Sequence, residues 1–193
     1  MEIGCGCGEN CALLRRFHPQ IEIHGLDLLA ASEVPEFIQY QRVNVEQGPL
    51  PYPDAHFDGI LLIHVLEHLH HPTKLCPEIQ RLLKPGGCLY VEAPNYTSIF
   101  APSFGIGRDQ HQPFNFFDDL EHIRPYTKQA LFEFVERCGM RVQRAANTRN
   151  WLRLPFDVLV FPMALLQGDR PQAVRRFWNI WGWCIFASGL KEG

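Results

Sequence analysis

Residues 2–8 read Glu2-Ile3-Gly4-Cys5-Gly6-Cys7-Gly8, and the apolar run Ile21 to Leu26 that follows ends on Asp27. Three alternate glycines ahead of a helix-period segment let the backbone adopt positive φ and approach a ligand closely. The free N–H groups of the following helix then face that ligand. The pattern is G-x-G-x-G. A dinucleotide loop of the G-x-G-x-x-G type would need glycine at position 9, where Glu9 stands. Asp27 lies 19 positions after Gly8. That is close to the ~20-residue interval between such a loop and a ribose-binding carboxylate. The competing reading of Asp27 is a solvated loop acid.

Working outward, apolar runs alternate with helix-period segments, the pattern of a parallel sheet with crossover helices. Strands are predicted over Ile21 to Leu26, Gln39 to Val43, Phe57 to His64, Cys88 to Ala93 and Met140 to Ala145. Phe57 to His64 is continuously apolar, as a central strand covered on both faces should be. Pro85-Gly86-Gly87 reads as a turn introducing the next strand. Helices are predicted over Glu9 to Phe17, over the stripe Leu75, Ile79, Leu82 and Leu83, and from an N-cap at Thr127 to a stop at Gly139. The last part, Trp151 to Leu166 and Phe177 to Leu190, is rich in Trp, Phe and Leu. Both pieces read as an apolar helical extension that packs on the domain or a partner subunit, or lies in a membrane interface. Neither is long enough to span a bilayer.

The chain has 193 residues, 46% of them hydrophobic and 20% charged, with net charge −3. This is enough for one domain with a full core and excludes a disordered tail or a coiled coil. There is no basic surplus to attract nucleic acid. Seven scattered cysteines are an odd and dilute set for a disulfide scaffold, so a reducing, cytoplasmic setting is expected. Cys5, Cys7 and Cys11 with His24 are conceivable metal ligands, but no paired C-x-x-C supports them.

These motifs together resemble the class I S-adenosylmethionine-dependent methyltransferases, in particular the ubiquinone- and menaquinone-biosynthesis-like members. EIGCGCG is similar to the family's first motif, and HGLD to the acidic end of its second strand. NVE followed by PLPYPDAHFDGILLIHVLEHL resembles the segment into the fourth strand. LLKPGGCLYVEAPN and HIRPYTKQALFEFVERCGMRV resemble the later motifs, in the expected order. The resemblance implies an α/β three-layer, Rossmann-like sandwich with a mostly parallel sheet. It divides the chain into a cofactor-binding domain over residues 1–145 and the aromatic-rich extension over 146–193. Met1 opens almost inside the first strand, so the fold is expected to be N-terminally truncated.

By position, the resemblance implies that Gly4, Gly6 and Gly8 line the methionine part of S-adenosyl-L-methionine, with Glu2 near its ammonium. Asp27 holds the ribose hydroxyls. Leu28, Asn44 and Val45 lie at the adenine, Asn44 standing where the family often has an acid. His64 sits beside the cofactor. A general base is sought among His64, His68, His111 and His122, since imidazole titrates near neutrality. The long aromatic stretch Pro94 to Pro125 should supply much of the acceptor wall.

His64-Val65-Leu66-Glu67-His68 also spells the H-x-x-E-H string of inverted zinc proteases. A run that ends two residues later at His70-His71-Pro72 is poor support for two helical zinc ligands, so no metal is assigned. The expected function is methyl transfer to a small-molecule acceptor, lipid-like or sugar-linked. The alternatives are a truncated, inactive domain serving as an interaction module, and an NAD-linked oxidoreductase.

Overall fold

The computed structural model describes residues 1–103 and 113–193. Its elements, in chain order, are β1 (Glu2–Ile3), α1 (Glu9–Phe17), β2 (His24–Asp27), β3 (Gln39–Arg42), β4 (Phe57–Ile63), α2 (Cys76–Leu82), β5 (Leu83–Pro94), α3 (Lys128–Arg137), β6 (Met140–Asn147), α4 (Leu154–Leu166), α5 (Arg170–Trp181) and β7 (Cys184–Lys191). The strands form one seven-stranded sheet in the order β3-β2-β1-β4-β5-β7-β6. The first five strands in that order pair in parallel, whereas β7 runs antiparallel to both β5 and β6.

The two residues of β1 occupy the centre. Glu2 and Ile3 pair with Gly25 and Leu26 on one side and with Leu61 and Leu62 on the other. Ile3, Leu26, Leu62, Leu89 and Val91 are fully buried, so the continuous apolar runs form a core under both layers of cover. Strand order reverses between β1 and β4. At such a switch point the loops after neighbouring strands turn to opposite sides, which opens a crevice beyond their carboxyl ends.

Local chemistry explains the boundaries. Thr127 caps α3, its hydroxyl accepting the Ala130 N–H at 3.1 Å, and Gly139 ends that region with φ +77°. Pro77 sits in the first turn of α2, where its missing N–H costs nothing. The turn foreseen at Pro85-Gly86-Gly87 does not precede β5. It is a bulge inside it, taking up the register shift between the pairs Phe57–Leu83 and Gly59–Cys88.

The last segment corrects the expected all-helical extension. Trp151 to Leu166 largely becomes α4, but the run from Phe177 to Leu190 breaks at Gly182, which ends α5 at φ +68°. The remainder becomes β7 and enters the sheet between β5 and β6. β-Branched and small residues with free N–H and C=O groups on both edges pair more favourably there than as a solvated helix. Residues 184–190 are therefore strand rather than helix. Trp151, Leu152, Leu159 and Leu166 on the other piece do remain exposed. Buried Asp157 of α4 accepts from Arg176 at 2.8 Å and Asn179 at 2.6 Å, which fixes α5 and with it Trp178. No described helix is long and apolar enough to cross a membrane.

Candidate functional site

A cleft of about 500 Å³ opens beyond the carboxyl ends of the parallel strands. Its lining includes Gly4, Gly6 and Asp27, the segment residues Leu28, Asn44 and Val45, and a polar group of His64, His68, Asp119, Glu121 and His122. Trp178 and Trp183 close one wall.

Asp27 closes β2 and faces the glycine loop. Its Oδ2 accepts the Gly6 N–H at 2.8 Å, while Oδ1 accepts the Leu28 and Leu29 N–H groups at 2.6 and 3.2 Å. A carboxylate offers about four lone-pair sites, so Oδ2 retains capacity for a hydroxyl in the cleft. Gly4, Gly6 and Gly8 all hold positive φ, but their surroundings differ. A Cβ on Gly4 would stand 2.3 Å from Val65 Cγ2, and one on Gly8 would stand 2.6 Å from Ile38 Cδ1. A Cβ on Gly6 would meet nothing within 4 Å, because that position faces the cleft. Gly4 and Gly8 are therefore constrained by packing, whereas Gly6 is free of it. Gly6→Ala is expected to cost the fold only about 1–2 kcal/mol of backbone strain. It should also weaken a ligand bound over the loop by roughly tenfold or more. Thermal unfolding and calorimetry with S-adenosylhomocysteine check this, and unimpaired binding in Gly6→Ala would remove the loop from the site.

Glu2 and Gly8 do not line the cleft. The Glu2 side chain is buried and turned under α1, where Asn10 Nδ2 donates to Oε1 at 2.8 Å and the Cys11 thiol to Oε2 at 3.0 Å. Burial raises its carboxyl above the usual range. This corrects its placement near an ammonium: the polar groups of α1 satisfy the carboxylate before the cleft is reached. Asn44 lines the cleft, with its Oδ1 accepting the Glu46 N–H at 3.0 Å in a local turn.

His64 follows β4 with φ +55°, a left-handed conformation unusual for histidine. Its N–H donates to the Glu92 carbonyl, its Nδ1 lies 3.1 Å from Glu67 Oε1, and its Nε2 lies 3.7 Å from Cys184 Sγ. Burial opposes a charge on this ring, but the Cys184 sulfur and the Glu67 carboxylate outweigh it and hold the imidazole well above its ordinary range. His122 is the reverse case. Burial lowers it, and its Nδ1–H donates to the Phe116 carbonyl at 2.7 Å. A neutral His122 thus keeps its Nε2 lone pair. His68 and His122 lie together, with ring centroids 4.9 Å apart. His111 lies outside the described residues.

Of the stretch Pro94 to Pro125, the described aromatics Tyr96, Phe100, Phe114, Phe116 and Phe117 do not line the cleft. Among the described residues this stretch contributes Pro113, Asp119, Glu121 and His122 to the wall. Sequence reasoning missed Asp119, Glu121, Trp178 and Trp183 as cleft residues. The string His64 to His68 carried a signal for Glu67. Nothing local distinguished the two tryptophans from core residues. Cys5, Cys7, Cys11 and His24 do not converge into a ligand group among the described residues.

A family model described as a methyltransferase domain matches residues 1–145. The chain belongs to the class I S-adenosylmethionine-dependent methyltransferase family. A probable S-adenosylmethionine-dependent methyltransferase of Mycolicibacterium smegmatis is 33% identical over 146 residues, covering 74% of this chain and 52% of the relative. Trans-aconitate 2-methyltransferase of Pseudomonas paraeruginosa is 31% identical over 100 residues, covering 49% of this chain and 35% of the relative. The chain thus spans about half or less of the length of these curated relatives. Among solved structures, a methyltransferase from Archaeoglobus fulgidus superposes with a TM-score of 0.66 at 19% identity, covering 98% of this chain and 84% of that one. At that identity the likeness is one of fold.

Proposed function

We propose that this chain transfers a methyl group from S-adenosylmethionine to an oxygen or nitrogen of a small-molecule acceptor, lipid-like or sugar-linked, in a cytoplasmic setting. One observation carries the reading. The Asp27 carboxylate and the unobstructed Gly6 face the same cleft, 2.8 Å apart, and polar side chains, His68, His122, Asp119 and Glu121, line that cleft too. Such a site can hold a nucleoside by its sugar and its amino-acid tail while leaving room for a second molecule.

When bound, S-adenosylmethionine supplies a methyl group on a positively charged sulfur, which departs as a neutral thioether once an acceptor lone pair takes the methyl. The chain's own work is positioning and exclusion of water. Gly4 and Gly6 let the loop backbone approach the tail. Asp27 accepts from the sugar, and Leu28, Asn44 and Val45 border the base. Trp178 and Trp183, stacked 4.6 Å apart, keep water from one wall. The acceptor's proton is released among His68, His122, Asp119 and Glu121. A relative named for the methylation of trans-aconitate supports a small acceptor.

Labelled methyl donor incubated with a metabolite extract should yield labelled small-molecule product. A folded chain that binds S-adenosylhomocysteine yet labels nothing would favour the interaction-module alternative. Binding of NAD in its place would favour the oxidoreductase.

A further inference from the structure

His68 and His122 line the cleft, and the buried carboxylate of Glu67 adjoins them. Glu67, His68 and His122 each present one ligand atom, and these atoms lie within 4.8 Å of one another. The two chain segments that carry them are tied together. The Ile123 N–H donates to the Glu67 carbonyl at 2.7 Å, and Tyr126 Oη donates to the Leu66 carbonyl at 3.2 Å. Leu66–His68 forms a single 3-10 turn, so the i, i+4 histidine pair read from the sequence does not exist as a helical face.

Both imidazoles are held the same way. His68 Nδ1–H donates to the Glu121 carbonyl at 3.3 Å, and His122 Nδ1–H donates to the Phe116 carbonyl at 2.7 Å. A ring nitrogen that donates to a carbonyl leaves the other bare, which is the orientation metal-binding histidines adopt. Between them stands a carboxylate that is fully buried. Glu67 Oε1 faces His64, and Oε2 has no hydrogen-bond partner among the described residues. An unpaired buried acceptor of this kind is costly, and a cation removes that cost.

We propose that Glu67, His68 and His122 bind a divalent first-row transition-metal ion, of the Mn²⁺ or Zn²⁺ class, beside the cleft. Two neutral imidazoles and one carboxylate make a three-ligand set that leaves coordination positions open. The imidazoles disfavour Mg²⁺, which takes oxygen ligands. The ion's use rests on the methyl-transfer reading: an open position takes a hydroxyl oxygen of the acceptor and lowers its pKa, which narrows the acceptor to a hydroxylated compound. Binding of the ion does not depend on that reading.

The test is calorimetry on protein stripped with chelator, titrated with Mn²⁺, Zn²⁺ and Mg²⁺, with free Mn²⁺ followed by electron paramagnetic resonance. One equivalent of Mn²⁺ or Zn²⁺ should bind, with Mg²⁺ weaker. His68→Ala and Glu67→Gln should each weaken it by roughly tenfold or more. Replacing the exposed His70 and His71 by alanine should leave it unchanged. His68 is half-exposed, so its variant folds even if Glu67→Gln does not, as a circular-dichroism melt will show. Absence of stoichiometric binding to folded protein overturns the proposal. So does binding that survives His68→Ala but disappears with His70 and His71, or Mg²⁺ binding as tight as Mn²⁺. S-adenosylhomocysteine titrated separately keeps the two readings apart. Ion binding without cofactor binding removes methyl transfer and leaves the ion site, and the converse removes the ion site alone.

Discussion

Asp27→Ala is expected to weaken S-adenosylhomocysteine binding on the order of a hundredfold, about 3 kcal/mol, while the protein stays folded. The size follows from charge. A hydrogen bond to a carboxylate contributes roughly 1.5–3 kcal/mol, about twice a neutral one, and a ribose diol can donate two. The fold should tolerate the change because the three N–H groups bonded to Asp27 lie at the mouth of the cleft, where water can replace the carboxylate. Asp27→Asn separates the effects, since it keeps an acceptor oxygen but loses the charge, and it should fall between wild type and alanine. Isothermal titration with a parallel melting curve decides. Asp27→Ala binding within a few-fold of wild type would show that the sugar is held elsewhere, and the proposed function would lose the observation that carries it.

Trp183→Ala should destabilise the protein by about 3–5 kcal/mol, as large-to-small changes in a packed core do. Trp183 is 1% exposed and contacts Trp178 and, through Phe114 and Asn95, the body of the domain. Its indole N–H donates to the Phe114 carbonyl at 2.9 Å, its backbone N–H to the Trp178 carbonyl at 2.9 Å, and its own carbonyl accepts from Asn95 at 2.7 Å. Its ring stacks on Trp178 with an interplanar angle of 7°. The loss is a large part of the 5–15 kcal/mol that holds a typical domain together. Urea unfolding measures it directly. A change under about 1 kcal/mol would mean that β7 is an appendage, contrary to its place in the sheet. Because Trp183 also lines the cleft, the variant should lose cofactor affinity at temperatures where it is still folded.

The legible part of this protein was the part written in local pattern. The bounds of α1 agree with the reading to the residue, and β4 and α3 to within one or two, because the helices carry periodic apolar stripes and β4 is one continuous apolar run. Asp27 was legible for a related reason: a strand that ends beside a glycine loop has few places to put an acid. Glu2 failed because a carboxylate near a helix start has two candidate partners, the ligand and the helix. Burial against Asn10 and Cys11 decided between them. The run Phe177 to Leu190 failed because an apolar stretch this short has no period to distinguish helix from strand. The open edges of β5 and β6 settled it.

The sequence by itself determined the alternation of strands and helices, the glycine loop and the acid that faces it, since these rest on backbone sterics and periodicity within a few residues. Only the tertiary structure decided that β7 enters the sheet, that two tryptophans wall the cleft, and that His122 stands beside Glu67 and His68 from 54 residues away. Those outcomes depend on which distant surfaces meet when buried polar groups must all find partners. No local pattern encodes that requirement.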